Sequence, residues 1–263
     1  MNNQLRNGNF TSSENVALVS VDTSGKRPGK PFWTYIEETN MERRLGRSLT
    51  DELTARAVLW GKLLERRAFE LLGTDYKLCS QETIPHPDID CWAGSPDADR
   101  FNNEDPSQNA VIDFKCPITL KSFCQLVQPF YDGLRGMDYF NAIRSGYTDN
   151  NGNKHEKHKD GEKFYWQLVS NACITNRNFI ELIVYLPYQS ELSAIRELCE
   201  GNKDYYSIYF ANEDELPFLI DGGYYKNINV MRAEIPQADK DLLTERVLLG
   251  REYLIPVETL VNA

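Results

Sequence analysis

Long apolar runs are missing from this chain: none reaches the roughly 18 residues that a membrane-spanning helix needs. The opening stretch, MNNQLRNGNFTSSEN, lacks the apolar centre of a secretory signal. No two of the six cysteines stand at CxxC spacing, which excludes an evident zinc or iron–sulfur framework. With 263 residues, 41% of them hydrophobic, the chain can bury a core without a disulfide scaffold. The thiols therefore read as free, in a reducing cytoplasmic compartment, with no membrane partner. Internal repeats are absent. Cations are the minority charge, 29 Lys and Arg against 39 Asp and Glu, for a net charge of −10. The sequence pI is about 4.9. A protein that coats nucleic acid without specificity needs the opposite balance. A local basic patch beside an acidic site stays compatible with it, because global charge reports on solubility and steering.

Punctuation divides the chain into a polar N-terminal arm, residues 1–30, and one domain over 31–263. The arm ends in the basic Gly/Pro segment SGKRPGKP. WTYIEETNMERRLGR then predicts a helix with a basic end. Ser48 and Thr50 offer N-caps for a second helix over about 51–72, with Asp51 and Glu52 in its first turn. Its apolar residues, among them Leu53, Ala57, Leu64, Ala68 and Leu71, recur at helical spacing. KLCSQETI and DCWAGSPDADRF read as short strands, and AVIDFKCP as a buried strand ended by Pro117. Downstream, TLKSFCQLVQPFYDGL is helical in part, 145–163 is a polar loop, and FYWQLVSNACIT is a helix. FIELIVYLP predicts a strand, SELSAIRELCEG a helix, YYSIYFA and INVMRAEIP strands, and ADKDLLTERVLLGREYL a terminal helix. The order predicts a mixed α/β domain.

The strand VIDFKCP carries the first chemical signal. Side chains alternate between strand faces, so Val111, Asp113 and Lys115 share one and Ile112, Phe114 and Cys116 the other. Alone, an Asp and a Lys two apart fit an exposed ion pair. Three neighbours add to it. In GSPDAD, the Gly-Ser-Pro bend precedes Asp97, and a hairpin can lay Asp97 beside Asp113. Two close carboxylates repel unless a proton or cation intervenes, and a divalent oxygen-seeking cation suits them; by itself Asp97 fits a turn cap as well. Glu65 sits among Leu63, Leu64, Ala68 and Phe69 on the second helix, either as an inward acid or as an ordinary solvated glutamate. Gln167 lies on an apolar helix, where a buried amide requires partners. His155 and His158 in KHEKHK invite a metal reading, but a polar Gly/Asn/Lys loop fits a solvated segment better.

This order resembles the PD-(D/E)xK nuclease superfamily, in its phage lambda-type exonuclease branch of YqaJ-like viral recombinases. The matching residues are GKLLE ending at Glu65, AGSPDAD at Asp97, VIDFKCP at Asp113 and Lys115, and FYWQ at Gln167, over about residues 32–186. Two positions depart from the pattern: Ala98, followed by Asp99, stands where the family often has Gly, and Val169 where it often has a second Gln. The first departure leaves Asp97 and Asp99 competing for one role.

The resemblance implies a restriction-endonuclease-like core, a central mixed β-sheet flanked by helices. It implies Mg2+, with Mn2+ able to substitute, held by Asp97, Asp113, the Phe114 backbone carbonyl and Glu65. Lys115 would stabilise charge at the phosphate, and Gln167 would orient Lys115 or the attacking water. The implied activity is exonucleolytic hydrolysis of double-stranded DNA ends, 5′ to 3′, in phage-type recombination. A ring-shaped homo-oligomer, a trimer in this family, and a single-strand annealing protein are the implied partners. Arg27, Arg43, Arg44, Arg66 and Lys121 are the candidate DNA contacts; Lys26 and Arg47 are further candidates for a terminal phosphate. A repair or restriction endonuclease and a non-catalytic DNA-end-binding protein are the alternatives.

Overall fold

The computed structural model describes residues 5–49, 56–79 and 82–256. The helices are α1 (Lys30–Leu45), α2 (Arg56–Glu70), α3 (Leu120–Tyr131), α4 (Gly136–Ser145), α5 (Gly161–Thr175), α6 (Leu192–Cys199), α7 (Tyr206–Tyr209) and α8 (Gln237–Arg251). The strands are β1 (Phe10–Thr11), β2 (Tyr76–Leu78), β3 (Ile84–Pro85), β4 (Trp92–Gly94), β5 (Ala98–Arg100), β6 (Ala110–Lys115), β7 (Tyr147–Thr148), β8 (Lys154–His155), β9 (Phe179–Tyr185) and β10 (Ile228–Glu234). Five strands form the central sheet in the order β10-β9-β6-β5-β2. Only β6 and β9 pair in parallel; the remaining pairs are antiparallel, so the sheet is mixed. The connection from β6 to β9 runs through α3, α4 and α5, as a parallel pair requires.

Helices cover both faces of this sheet, so its central strands are apolar on both sides. Val111, Ile180, Leu182 and Val184 join α1, α3, α4, α5 and α8 in one core. Ile112, Phe114, Ile183 and Tyr185 join α2, α6 and α7 in a second. Strand alternation alone produces this division. Arg100 and Arg232 reach one oxygen of the fully buried Glu181, at 2.9 and 2.8 Å, and the Tyr76 hydroxyl donates to the other at 2.9 Å. That carboxylate ties β2, β5, β9 and β10 together.

Four sequence expectations change. The stretch read as a polar arm supplies β1, which pairs in parallel with β4, and it buries Phe10 and Leu18. YYSIYFA forms α7 rather than a strand. An Asn202-capped 3-10 turn leads into it, and Ile208 is its one fully buried side chain, so a helical turn seats that residue while Tyr206 and Phe210 stay exposed. Helix α4 has no counterpart among the sequence expectations, and the polar loop 145–163 contains the β7–β8 hairpin. Leu71 lies past the end of α2, and Thr50, Asp51, Glu52 and Leu53 fall outside the described residues. Among the described residues, no helix is long and apolar enough to cross a membrane.

Candidate active site

The site forms where β5 ends short beside β6. The β5–β6 register pairs Ala98 with Ile112, and the Asp97 N–H donates to the Ile112 carbonyl at 3.2 Å. Asp97 then lies close enough to Asp113 for the two carboxyls to repel. Its Oδ2 accepts the Phe114 N–H at 2.7 Å, in place of the backbone partner that β5 no longer supplies. Within a strand the N–H and C=O of one residue point to the same side. The Phe114 carbonyl therefore also points past the end of β5, and Phe114 lines the cavity there.

Asp113 is 1% exposed, on the sheet face that α5 covers. Gln167 on α5 donates from Nε2 to Asp113 Oδ1 at 2.8 Å and accepts from the Lys115 ammonium through Oε1 at 3.4 Å. One amide thus bridges the two charges, with each end turned to the partner its polarity demands. Lys115 also pairs directly with Asp113 Oδ2, which is buried and takes no further donor. Glu65 arrives from the opposite face. Its helix α2 packs on Ile112 and Phe114, and the carboxyl reaches around the sheet end into the cavity that Asp97 lines. Asp99, two residues beyond Asp97, turns away to the Arg177 guanidinium, at 3.6 Å, and Cys79. Its different partners separate it from Asp97.

Electrostatics agree with this crowding. Burial, then Asp113 and Glu65, pushes the Asp97 carboxyl well above its ordinary pKa. Burial and Asp113 push Glu65 up likewise. Burial opposes the Lys115 charge, but Asp113, Asp97 and Glu65 outweigh it and hold the ammonium above its ordinary value. Here the ammonium supplies the positive charge that the carboxylates require. The donor set is three carboxylates and the Phe114 carbonyl, all hard oxygens, with one buried carboxylate oxygen free of any donor but that ammonium. Such a set fits a divalent cation of the Mg2+ kind.

The cavity encloses about 750 Å³. It is lined by Glu65, Asp97, Phe114 and Gln167, and by Arg6, Thr11, Ser12, Ser13 and Ser95. Lys62 and Arg66, four positions apart and so on one side of α2, add positive charge to the wall. The sequence reading missed Arg6, Ser12, Ser13, Lys62 and Tyr205. The N-terminal stretch reaches the cavity through the β1–β4 pairing and the Ser12–Ser170 bond, contacts between distant segments without a local signature. Of the proposed DNA contacts, Arg66 lines the cavity, while Arg27, Arg44 and Lys121 are exposed elsewhere. Arg43 is occupied: its guanidinium donates to the Gly8 and Ile255 carbonyls, each at 2.6 Å.

One other group brings ligand atoms together among the described residues. Asp132, Asp149 and His155 hold theirs within 4.8 Å of one another, all half-buried. Tyr147, Gln128 and Asn153 already donate to these carboxylates, so the group reads as the clamp of the β7–β8 hairpin. His158 is apart from it, buried and bonded to Ser122 at 2.8 Å.

The fold is shared with solved exonucleases. LHK-Exo, an alkaline exonuclease from Laribacter hongkongensis, is 17% identical over 97% of this chain and 93% of that one, with a TM-score of 0.52. LHK-Exo in complex with dAMP gives 16% identity, coverage of 97% and 90%, and a TM-score of 0.53. A phage related exonuclease from Haemophilus somnus is 13% identical over 98% of this chain and 97% of that one, with a TM-score of 0.54. No protein-family model and no curated protein matches the chain in sequence.

Proposed function

We propose that this chain is a metal-dependent DNA exonuclease that hydrolyses phosphodiester bonds at double-stranded ends, 5′ to 3′, in phage-type recombination. The observation that carries the reading is the meeting of Glu65, Asp97, Asp113 and Lys115 at one sheet end, on a fold shared with phage-related and alkaline exonucleases. Asp97, Asp113 and the Phe114 carbonyl would hold Mg2+ or Mn2+, with Glu65 supporting the site from α2. A bound divalent ion polarises the scissile phosphate and lowers the pKa of a water molecule. Lys115 places a fixed positive charge where the phosphate gains negative charge. Gln167 holds Lys115 and Asp113 in register with one amide.

Of the further residues lining the cavity, Arg6 offers a guanidinium and Ser13 a hydroxyl to a terminal phosphate, beside Ser12 and Ser95, which are bonded to Ser170 and Thr83. These groups favour digestion from a phosphorylated 5′ end. Lys62 and Arg66 would guide the strand. A ring of three chains and an annealing protein complete the proposed assembly, and sedimentation should return three times the 30.3 kDa chain mass.

Linear duplex labelled at the 5′ or 3′ end decides the activity. With Mg2+, the wild type should release the 5′ label first and leave closed circles intact. Asp113→Ala and Lys115→Ala should release nothing. Cutting of closed circles would identify an endonuclease, and end binding without any release in Mg2+ or Mn2+ would refute the enzyme.

A further inference from the structure

Lys115 has a neighbour that neither the ion pair nor the amide bridge accounts for. Its Nζ lies 4.7 Å from the centroid of the Phe164 ring. Phe164 is in the first turn of α5, three residues before Gln167, and so on the same side of the helix. We propose that Phe164 is a positioning residue whose ring face holds the Lys115 ammonium at the strand end. The proposal rests on the nuclease reading, within which Lys115 serves the phosphate.

The physical case begins with the lysine. Its ammonium rides on four rotatable bonds and loses rotamer freedom when fixed in one place. Asp113 and Gln167 can each take one of its three N–H donors. A further carboxylate would fix it too, but Glu65, Asp97 and Asp113 already crowd this sheet end with negative charge. An aromatic face attracts a cation without adding a titrating charge. It also leaves the remaining N–H free for an incoming oxygen.

The ring is itself held. His158 lies against it, with ring centroids 5.4 Å apart and planes inclined by 31°. His158 Nδ1 accepts the Asp160 N–H at 3.1 Å, which leaves the ring proton on Nε2 to donate to Ser122 Oγ at 2.8 Å. The histidine is therefore neutral and fixed in one tautomer, and it forms a rigid backing for Phe164. Ser122 in turn donates its N–H to the Thr119 hydroxyl that caps α3. The element that follows β6 thus supports, through two rings, the lysine at the end of β6.

Two readouts test this on the full chain. Lysine labelled with 13C at Cε reports the ring directly. In the wild type the Lys115 ε-methylene protons should be shifted upfield by the ring current. Phe164→Leu should abolish that shift, and Phe164→Tyr should keep it. On linear duplex, Phe164→Leu should lower kcat roughly 2- to 30-fold with KM unchanged, and Phe164→Tyr should restore it. An unshifted Lys115 signal in the wild type overturns the proposal. So does a Phe164→Leu enzyme with unaltered kcat, or a Tyr variant as impaired as the Leu variant. A wild type that releases no nucleotide refutes the nuclease reading, while the resonance still decides whether the ring holds the ammonium.

Discussion

Asp97 is the residue at which cation and fold meet most directly. Its folded-state pKa lies above that of the unfolded chain, first through burial and then through Asp113. In the window between the two values the folded state binds more protons. Stability therefore falls as pH rises through the carboxylate range, and the cost persists at neutral pH in the metal-free chain. Asp97→Asn removes that cost while keeping an acceptor for the Phe114 N–H. The metal-free variant should melt higher than wild type at pH 7, by about 2–4 °C for each kcal/mol regained, and the two should melt alike below about pH 4. Mg2+ should raise the melting temperature of the wild type and leave Asp97→Asn unmoved. Scanning calorimetry at the two pH values, with and without Mg2+, reads both effects; a metal-free variant no more stable than wild type at pH 7 would remove the electrostatic argument.

Among the elements, the central sheet shows what a sequence can reveal. The strand VIDFKCP disclosed its two faces, because alternation follows from backbone geometry alone. The Gly-Ser-Pro bend disclosed a turn before Asp97, and the structure adds that this turn passes from the small sheet of β4 to the central sheet of β5. Gly94 needs to be glycine for a reason that no local pattern contains: a Cβ would lie 2.3 Å from Ser12 Oγ and 2.5 Å from Asn171 Oδ1. The arrival of Glu65 from the opposite face was likewise illegible, since it depends on α2 packing against Ile112 and Phe114. The aromatic run at 205–211 misled because ring-rich segments favour strands until a tertiary contact such as that of Ile208 decides otherwise. Glu181 carries the clearest consequence for the sheet. Glu181→Ala leaves Arg100 and Arg232 without their shared carboxylate; both are about a third exposed and keep Asp75 and Gln108 as partners, so the loss should fall below the about 3–5 kcal/mol of a fully buried pair. Urea unfolding should show that loss as a lower midpoint with an unchanged slope.

At the scale of the whole molecule, an acidic chain with net charge −10 has to grip a polyanion locally. Lys62 and Arg66 on α2 and Arg6 in the N-terminal stretch are the cations lining the cavity, and Arg66 is largely exposed. Removing one cation that neutralises a phosphate lowers the salt slope of DNA affinity by about one. Lys62→Ala with Arg66→Ala should therefore weaken binding of a DNA end and flatten its dependence on NaCl by about two. Anisotropy titrations over a range of NaCl concentrations measure this, and an unchanged slope would place the DNA on another surface.

The division of the interior into two cores has a further effect. Glu65 is carried by α2, over one core, whereas Asp113 and Lys115 lie on the other face of the sheet with Gln167 and Phe164 of α5. Catalytic competence is then a property of the joint rather than of either half. A slight parting of α2 from the sheet would withdraw one carboxylate while leaving the secondary structure intact. In rising urea, nucleotide release should fade well before the circular dichroism changes, so that activity acts as the molecule's own strain gauge.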